Sequence, residues 1–284
     1  MAIWKILKKI KRRMTWFANE LYWLLLLLKK NQKINLTNNE FSIGITTFKD
    51  RYHIFFKKLL KRMTYSFPGT EIIVAVNGHY DQKGQILFLE KIKNDCAAFP
   101  HVKLVTFIEP QGLSKLWNQI ILHAGNNKIF ICNDDIKISP FFRKNLLASG
   151  ILNEHVAVIK DSWSHFLVSR DIISQVGWFD ERLLEIGGED DDYLLRLALK
   201  NIYPASFNIE GIINYSHKLK ANTYGKDMTG DHPYSTYNEE FLSSKWEMSR
   251  IFVEGAVLHR RGEYWRLKEN METPDFYSHI NLKS

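Results

Sequence analysis

KIFICNDD, residues Lys128 to Asp135, is an apolar run that ends in two acids. Ile129, Phe130, Ile131 and Cys132 follow one another with no polar residue between them, which predicts a central strand buried on both faces. The same kind of run recurs upstream at FSIGITTF (41–48), EIIVAVNG (71–78) and VKLVTFIE (102–109). Helical patterns separate these runs. Tyr52 to Tyr65 places Phe55, Phe56, Leu59, Leu60 and Met63 on one side, and Ile86–Cys96 and Leu113–Ala124 follow. Strands alternating with helices predict an α/β fold, a mainly parallel sheet flanked by helices. Ligands of such sheets sit beyond the carboxyl ends of the strands. Thr46-Thr47, Asn77-Gly78 and Asn133-Asp134-Asp135 all fall at such ends, and their convergence marks a site. Two carboxylates at a strand mouth suit Mg²⁺ or Mn²⁺, hard ions that need few protein ligands when a diphosphate supplies other oxygens. Asn-Asp-Asp is also common turn chemistry. No Gly-rich P-loop is present and no GxGxxG follows the first strand, which argues against kinases and Rossmann dehydrogenases.

The 284-residue chain is 45% hydrophobic and 25% charged, enough for one large domain with an appendage. Its two cysteines, Cys96 and Cys132, have no metal-type spacing, which favours a reducing cytoplasm over a disulfide framework. The net charge of +8 is confined to the N-terminus: residues 1–33 hold nine Lys or Arg and one acid, Glu20, so the remainder is balanced. This removes the main support for nucleic-acid binding. Trp4, Leu7, Ile10, Met14, Phe17 and Leu21 recur at helical spacing among the basic residues. The apolar run Leu21–Leu28 is far shorter than the roughly 20 residues of a membrane span. A basic amphipathic helix over 1–33 that lies on an anionic membrane surface is the expectation. A terminal helix packed on its own domain or on a second subunit is the alternative. Residues 34–40 are expected to link it to a domain over 41–250, followed by an extension over 251–284.

A second acidic cluster stands at Glu189-Asp190-Asp191-Asp192, after Gly187-Gly188 and before an apolar run. If Glu189 begins a helix, successive side chains rotate by about 100°, so no single ion collects all four. Acids in a first turn complement the helix dipole. Asp192 stands four residues before Arg196 and is expected to pair with it for a few tenths of a kcal/mol. Glu189 and Asp190 remain nearest the glycine turn, and either could serve as a general base.

The order of these signals resembles the family 2 glycosyltransferases of bacterial surface polysaccharide synthesis, which have the GT-A fold. SIGITTFKDR resembles their opening strand, and Gly112-Leu113-Ser114 with Asn118 resembles a helix start of the family. CNDD resembles their Asp-x-Asp-type site. VGWFDE (176–181) with GEDDDYLLR (188–196) is similar to their most specific signature. His217 in NYSHK and FLSSKWE (241–247) resemble later elements, with Glu247 where the family has Gly. The likeness covers about residues 41–247.

The resemblance implies an inverting, metal-dependent transferase that moves a sugar from a nucleotide-diphosphate donor, a UDP-sugar favoured, to a hydroxyl of a glycan or lipid-linked acceptor. It implies that Asp135 and His217 serve Mn²⁺ or Mg²⁺. Asp134, Thr46, Thr47, Asn77 and Lys115 would line the donor pocket. Asp190, with Glu189 beside it, would be the base. The family usually carries an acid after its second strand, where this chain has Asn77-Gly78. A cytoplasmic location, peripheral on the inner face of the cell membrane, follows. The residues fit this chemistry independently, because a leaving diphosphate needs a cation and an attacking alcohol needs a carboxylate base. Two other classes share some of these features: a sugar nucleotidyltransferase, and a non-catalytic membrane-associated assembly factor. The first usually carries a Gly-rich basic loop that SIGITTFKDRYH lacks.

Overall fold

The computed structural model describes residues 2–28, 40–214, 235–248, 253–254, 257–258 and 265–280. Its centre is a seven-stranded sheet. Strands β1 (Phe41–Thr47), β2 (Ile72–Val76), β3 (Val102–Thr106) and β4 (Lys128–Asn133) run parallel in the spatial order β3-β2-β1-β4. Helices α2 (Lys57–Ser66), α3 (Gln82–Cys96) and α4 (Leu113–His123) make the crossovers. Downstream, β5 (Ile136–Ile138), α5 (Phe142–Ala148), β6 (Val156–Ile159), β7 (Ser162–Ser169), α6 (Arg170–Val176), α7 (Glu189–Leu199), β8 (Ala205–Phe207) and β9 (Ile212–Asn214) follow. Strand β7 pairs antiparallel with β4, and β6 and β8 complete the sheet beyond it. The mixed sheet flanked by helices is the GT-A type of α/β architecture, in one domain.

The central strand behaves as its composition dictates. Phe130 and Cys132 point into one apolar cluster with Phe41, Ile43, Ile45 and the α2 residues Leu59 and Met63. Ile129 and Ile131 point into the opposite cluster with Leu116, Trp117 and Ile120 of α4. A strand that fills both cores has no polar position to spare, so its first polar residues mark where it leaves the sheet. Trp117, Trp163 and Trp178 all belong to the second cluster. Helix α3 begins earlier than its apolar pattern, because the Asp81 side chain accepts the Gly84 backbone N–H at 3.0 Å.

Helix α1 (Ala2–Leu28) divides into two environments. Near its end Trp23 is buried, and its Nε1–H donates to the Ile138 carbonyl at 2.9 Å. Glu20 accepts from Arg62 at 2.7 Å and 3.0 Å and from Lys58 at 2.7 Å. Burial alone would raise the Glu20 carboxyl, but these cations prevail and hold it at about 2. The earlier turns leave Trp4, Ile10, Met14 and Phe17 exposed. No described helix is long and apolar enough to cross a membrane. At the other end of the chain, residues 265–280 pack back onto the domain. Phe276 and Tyr277 lie against the second core cluster, and Trp265–Leu267 pairs with β10 (Trp246–Met248), the strand that follows α8 (Ser235–Lys245).

Candidate active site

The carboxyl ends of β1, β2 and β4 open into a cavity of about 280 Å³. Thr46, Thr47, Asn77, Asn133 and Asp134 line it, so five residues singled out in the sequence meet at one place. Their side chains are held differently. Thr47 Oγ1–H donates to Asp134 Oδ2 at 2.6 Å, and Thr46 Oγ1–H to Asn133 Oδ1 at 3.2 Å. The Asn77 amide is committed to backbone: Nδ2–H donates to the Gln111 carbonyl, and Oδ1 accepts from the N–H groups of Gly78 and Gln111. Asn77 thereby staples the end of β2 to the loop before α4. A Cβ at Gly78 would stand 2.0 Å from the Glu109 carbonyl oxygen, so this close approach requires glycine.

Both carboxylates beyond β4 are buried and share one cation. Arg51 Nε lies 2.6 Å from Asp134 Oδ1, and its Nη2 lies 3.0 Å from Asp135 Oδ2. The guanidinium sits over the rings of Phe48 and Phe55, with Cζ 5.6 Å and 5.1 Å from their centroids. Burial raises the Asp134 carboxyl; Arg51 opposes, Asp135 adds to the rise, and the outcome is about 6. Asp135 Oδ1 is buried and has no hydrogen-bond partner among the described residues. An orphaned carboxylate oxygen of this kind fits a divalent cation, so Asp135 qualifies as a ligand. The described residues contain no cluster of three metal-ligating side chains, and His217 lies outside them. Lys115 is absent from the described cavity lining, and Arg51, which sequence reasoning passed over, is present. Its position directly after the first strand, in TTFKDR, was the available signal.

The loop before α7 closes one side of the cavity through Glu185 and Ile186. Tyr80 Oη–H donates to Glu185 Oε1 at 2.5 Å, and the Leu113 N–H donates to the Glu185 carbonyl at 2.6 Å. Asn238 of α8 grips the same loop. It accepts from the Leu184 N–H at 2.9 Å and donates to the carbonyls of Leu184 and Gly187 at 2.8 Å and 2.9 Å. Gly187 and Gly188 both adopt positive φ, which reverses the chain just before the four acids.

Those acids separate by environment. Glu189 is buried and turned back, its Oε2 accepting the Gly187 N–H at 2.6 Å. Burial, then the neighbouring Asp190 charge, push its carboxyl up to about 8. Asp190 is only partly buried; burial and the charge of Asp191 push it up to about 6. Neither acid lines the cavity itself.

Asp192 is fully buried. It meets Arg196 Nε at 2.9 Å as expected, and also Lys245 Nζ at 2.6 Å and the Trp246 indole N–H at 2.9 Å. The expected stabilisation of a few tenths of a kcal/mol is therefore an underestimate, because that figure belongs to an exposed helix pair. Lys245 Nζ also reaches Asp180 Oδ2 at 2.7 Å, joining GWFDE, α7 and FLSSKWE through one ammonium. Asn118 of α4 completes the frame by exchanging hydrogen bonds with the Phe179 backbone at 2.9 Å and 3.0 Å.

No protein-family model and no curated protein sequence matches the chain. Solved structures do match. Residues 1–349 of Staphylococcus aureus TarS, in complex with UDP-GlcNAc, superpose with a TM-score of 0.50 at 16% identity, covering 72% of this chain and 66% of that one. A mannosyltransferase, PcManGT from Pyrobaculum calidifontis, in complex with GDP-Man and Mn²⁺, gives 0.46 at 14% identity, covering 68% and 62%. At these identities the likeness concerns the fold. The chain spans about two thirds of the TarS structure's length.

Proposed function

We propose that the protein is an inverting glycosyltransferase that takes a sugar from a nucleotide-diphosphate donor, a UDP-sugar favoured, and passes it to a hydroxyl of a glycan or lipid-linked acceptor. The observation that carries this reading is the cavity at the ends of β1, β2 and β4, which gathers Thr46, Thr47, Asn77 and Asp134 beside a carboxylate, Asp135, with an orphaned oxygen. The TarS structure in complex with UDP-GlcNAc, on the same fold, supports it. Asp135, with His217, would hold Mn²⁺ or Mg²⁺, which stabilises charge on the leaving diphosphate. Thr46, Thr47 and Asp134 orient the nucleotide. Asp190 is the base: with its carboxyl near 6 it is ionised at neutral pH yet accepts a proton readily, whereas Glu189 near 8 stays largely protonated. Glu189 instead braces the Gly187 turn that carries Asp190.

A panel of nucleotide sugars with product analysis tests the reading. Release of UDP or GDP with transfer to an acceptor is the expected result. Pyrophosphate exchange would instead indicate a nucleotidyltransferase, and silence on every donor an assembly factor.

The exposed face of α1 fits an anionic membrane surface, with Trp4, Met14 and Phe17 outward and basic residues among them. The proposed location is accordingly peripheral, on the inner face of the cell membrane. Met14→Ser with Phe17→Ser should release the protein from anionic vesicles in a sedimentation assay while donor turnover persists. Undiminished vesicle binding would remove the membrane role.

A further inference from the structure

We infer that Arg51, rather than the expected donor-pocket residue Lys115, is the fixed cation that receives the donor's diphosphate. The inference rests on the nucleotide-sugar reading above. Among the described residues that line the cavity, Arg51 is the one Lys or Arg. The same lining carries Asp50, Asp134 and Glu185, so without Arg51 the cavity would repel a diphosphate strongly. Lys115, in the first turn of α4, is half-buried and outside that lining.

Position also favours Arg51. Its guanidinium touches both Asp134 and Asp135, the residues nearest the expected cation, so a diphosphate bound there lies beside it. Two rings, Phe48 and Phe55, hold it from the sides, and it is only 7% exposed. A guanidinium has five N–H donors in a planar fork, enough to serve carboxylate and phosphate oxygens together. Fixed in advance, it costs little ordering entropy when the anion arrives. The short turn Lys49–Arg51 immediately after β1 delivers the side chain to the strand ends, where ligands of parallel sheets bind.

The test uses the full chain and probes that separate the diphosphate from the nucleoside. Inorganic pyrophosphate, UDP, GDP and the nucleosides uridine and guanosine are titrated calorimetrically, in chelator and in Mn²⁺. In chelator, Arg51→Gln should weaken pyrophosphate by roughly 10–100-fold, the worth of charge-assisted hydrogen bonds, and leave nucleoside affinity unchanged. Lys115→Ala should cost less than about fivefold, as for a partly solvated charge outside the cavity lining. Wild-type affinity for pyrophosphate in Arg51→Gln overturns the assignment, as does equal loss of nucleoside and pyrophosphate, or a larger loss in Lys115→Ala. If Arg51→Gln shows no cooperative thermal transition, Arg51→Lys decides: it keeps the charge without the fork, so several-fold weaker pyrophosphate supports the role and unchanged affinity overturns it. A wild-type protein that binds neither pyrophosphate nor either nucleotide overturns the donor reading itself.

Discussion

Asp134 and Asp180 are both buried aspartates with a cation close by, yet their carboxyls move in opposite directions. At Asp180 burial alone would raise the group, but hydrogen bonds from Arg182 and the charge of Lys245 prevail and hold it at about 2. Arg182 binds it through Nε at 2.9 Å and Nη2 at 2.7 Å, its own backbone N–H adds a bond at 3.1 Å, and Lys245 adds another at 2.7 Å. Asp134 has burial against it, one shared guanidinium for it, and a second carboxylate beside it, and it rises to about 6. Surplus donors make an aspartate structural. A deficit leaves a raised carboxyl at the cavity wall, where an incoming ligand can complete the set. The α7 acids repeat the lesson within one turn: Asp192 is saturated by Arg196, Lys245 and Trp246, while Asp190 is not.

The comparison can be broken by substitution, starting at the deficient site. Asp135→Ala removes the orphaned oxygen, and turnover should fall by about 10⁴-fold, several kcal/mol of lost Lewis-acid assistance. Nucleotide binding should also lose its dependence on Mn²⁺ or Mg²⁺. Full activity of the wild type in excess chelator would take the cation out of the mechanism.

Asp190→Asn keeps size and most hydrogen bonding but accepts no proton, and should lower transfer by roughly 10²–10⁴-fold with the melting temperature unchanged. The acid limb of the wild-type rate profile should fall near pH 6, because the base must be ionised and its carboxyl is raised to about 6. A limb near pH 8, or a normal rate in Asp190→Asn beside a slow Glu189→Gln, would move the base to Glu189.

At the saturated sites the effect should appear in stability instead. Asp192→Asn or Asp180→Asn leaves Lys245, itself fully buried, with one carboxylate partner in place of two, and breaks a buried ion pair. Each should cost about 3 kcal/mol, or about 6–12 °C in melting temperature for a domain of this size. Activity assayed well below the transition should be largely kept. The Asp180 contribution has a defined acid window. Its folded carboxyl is lowered, so its stabilisation is complete above the unfolded value of about 4 and is lost as pH falls through about 2. Acid unfolding should therefore begin at higher pH in Asp192→Asn, which keeps Asp180 in a weakened frame, and lose this component in Asp180→Asn.

The smallest change is expected at Asp134→Asn. A raised carboxyl means ionisation costs the fold something near neutral pH, a cost relieved as pH falls through about 6. Removing that charge should leave the melting temperature at pH 7 unchanged or slightly raised, opposite in sign to Asp180→Asn. A drop of several degrees would show that Arg51 over-compensates the pair.

The sequence by itself determined the strands and their crossovers. Runs such as Ile129–Cys132 and Ile72–Val76 have one stable fate, burial on both faces, and the turn residues after them mark where a ligand site opens. It also determined the candidate acids and Thr46, Thr47 and Asn77, since polar residues at strand ends point to a place without any knowledge of partners. It could not decide which acids are free. Asp180, Asp192 and Lys245 are separated by up to 65 positions, and only packing of α7 against the end of α8 brings them together. The antiparallel entry of β7 beside β4 was likewise hidden, because an apolar strand carries no mark of its direction. Arg51 escaped for the same reason as Lys245. A lone basic residue acquires meaning only from the carboxylates that long-range pairing sets beside it, and the 83 positions from Arg51 to Asp134 are spanned by the parallel pairing of β1 with β4.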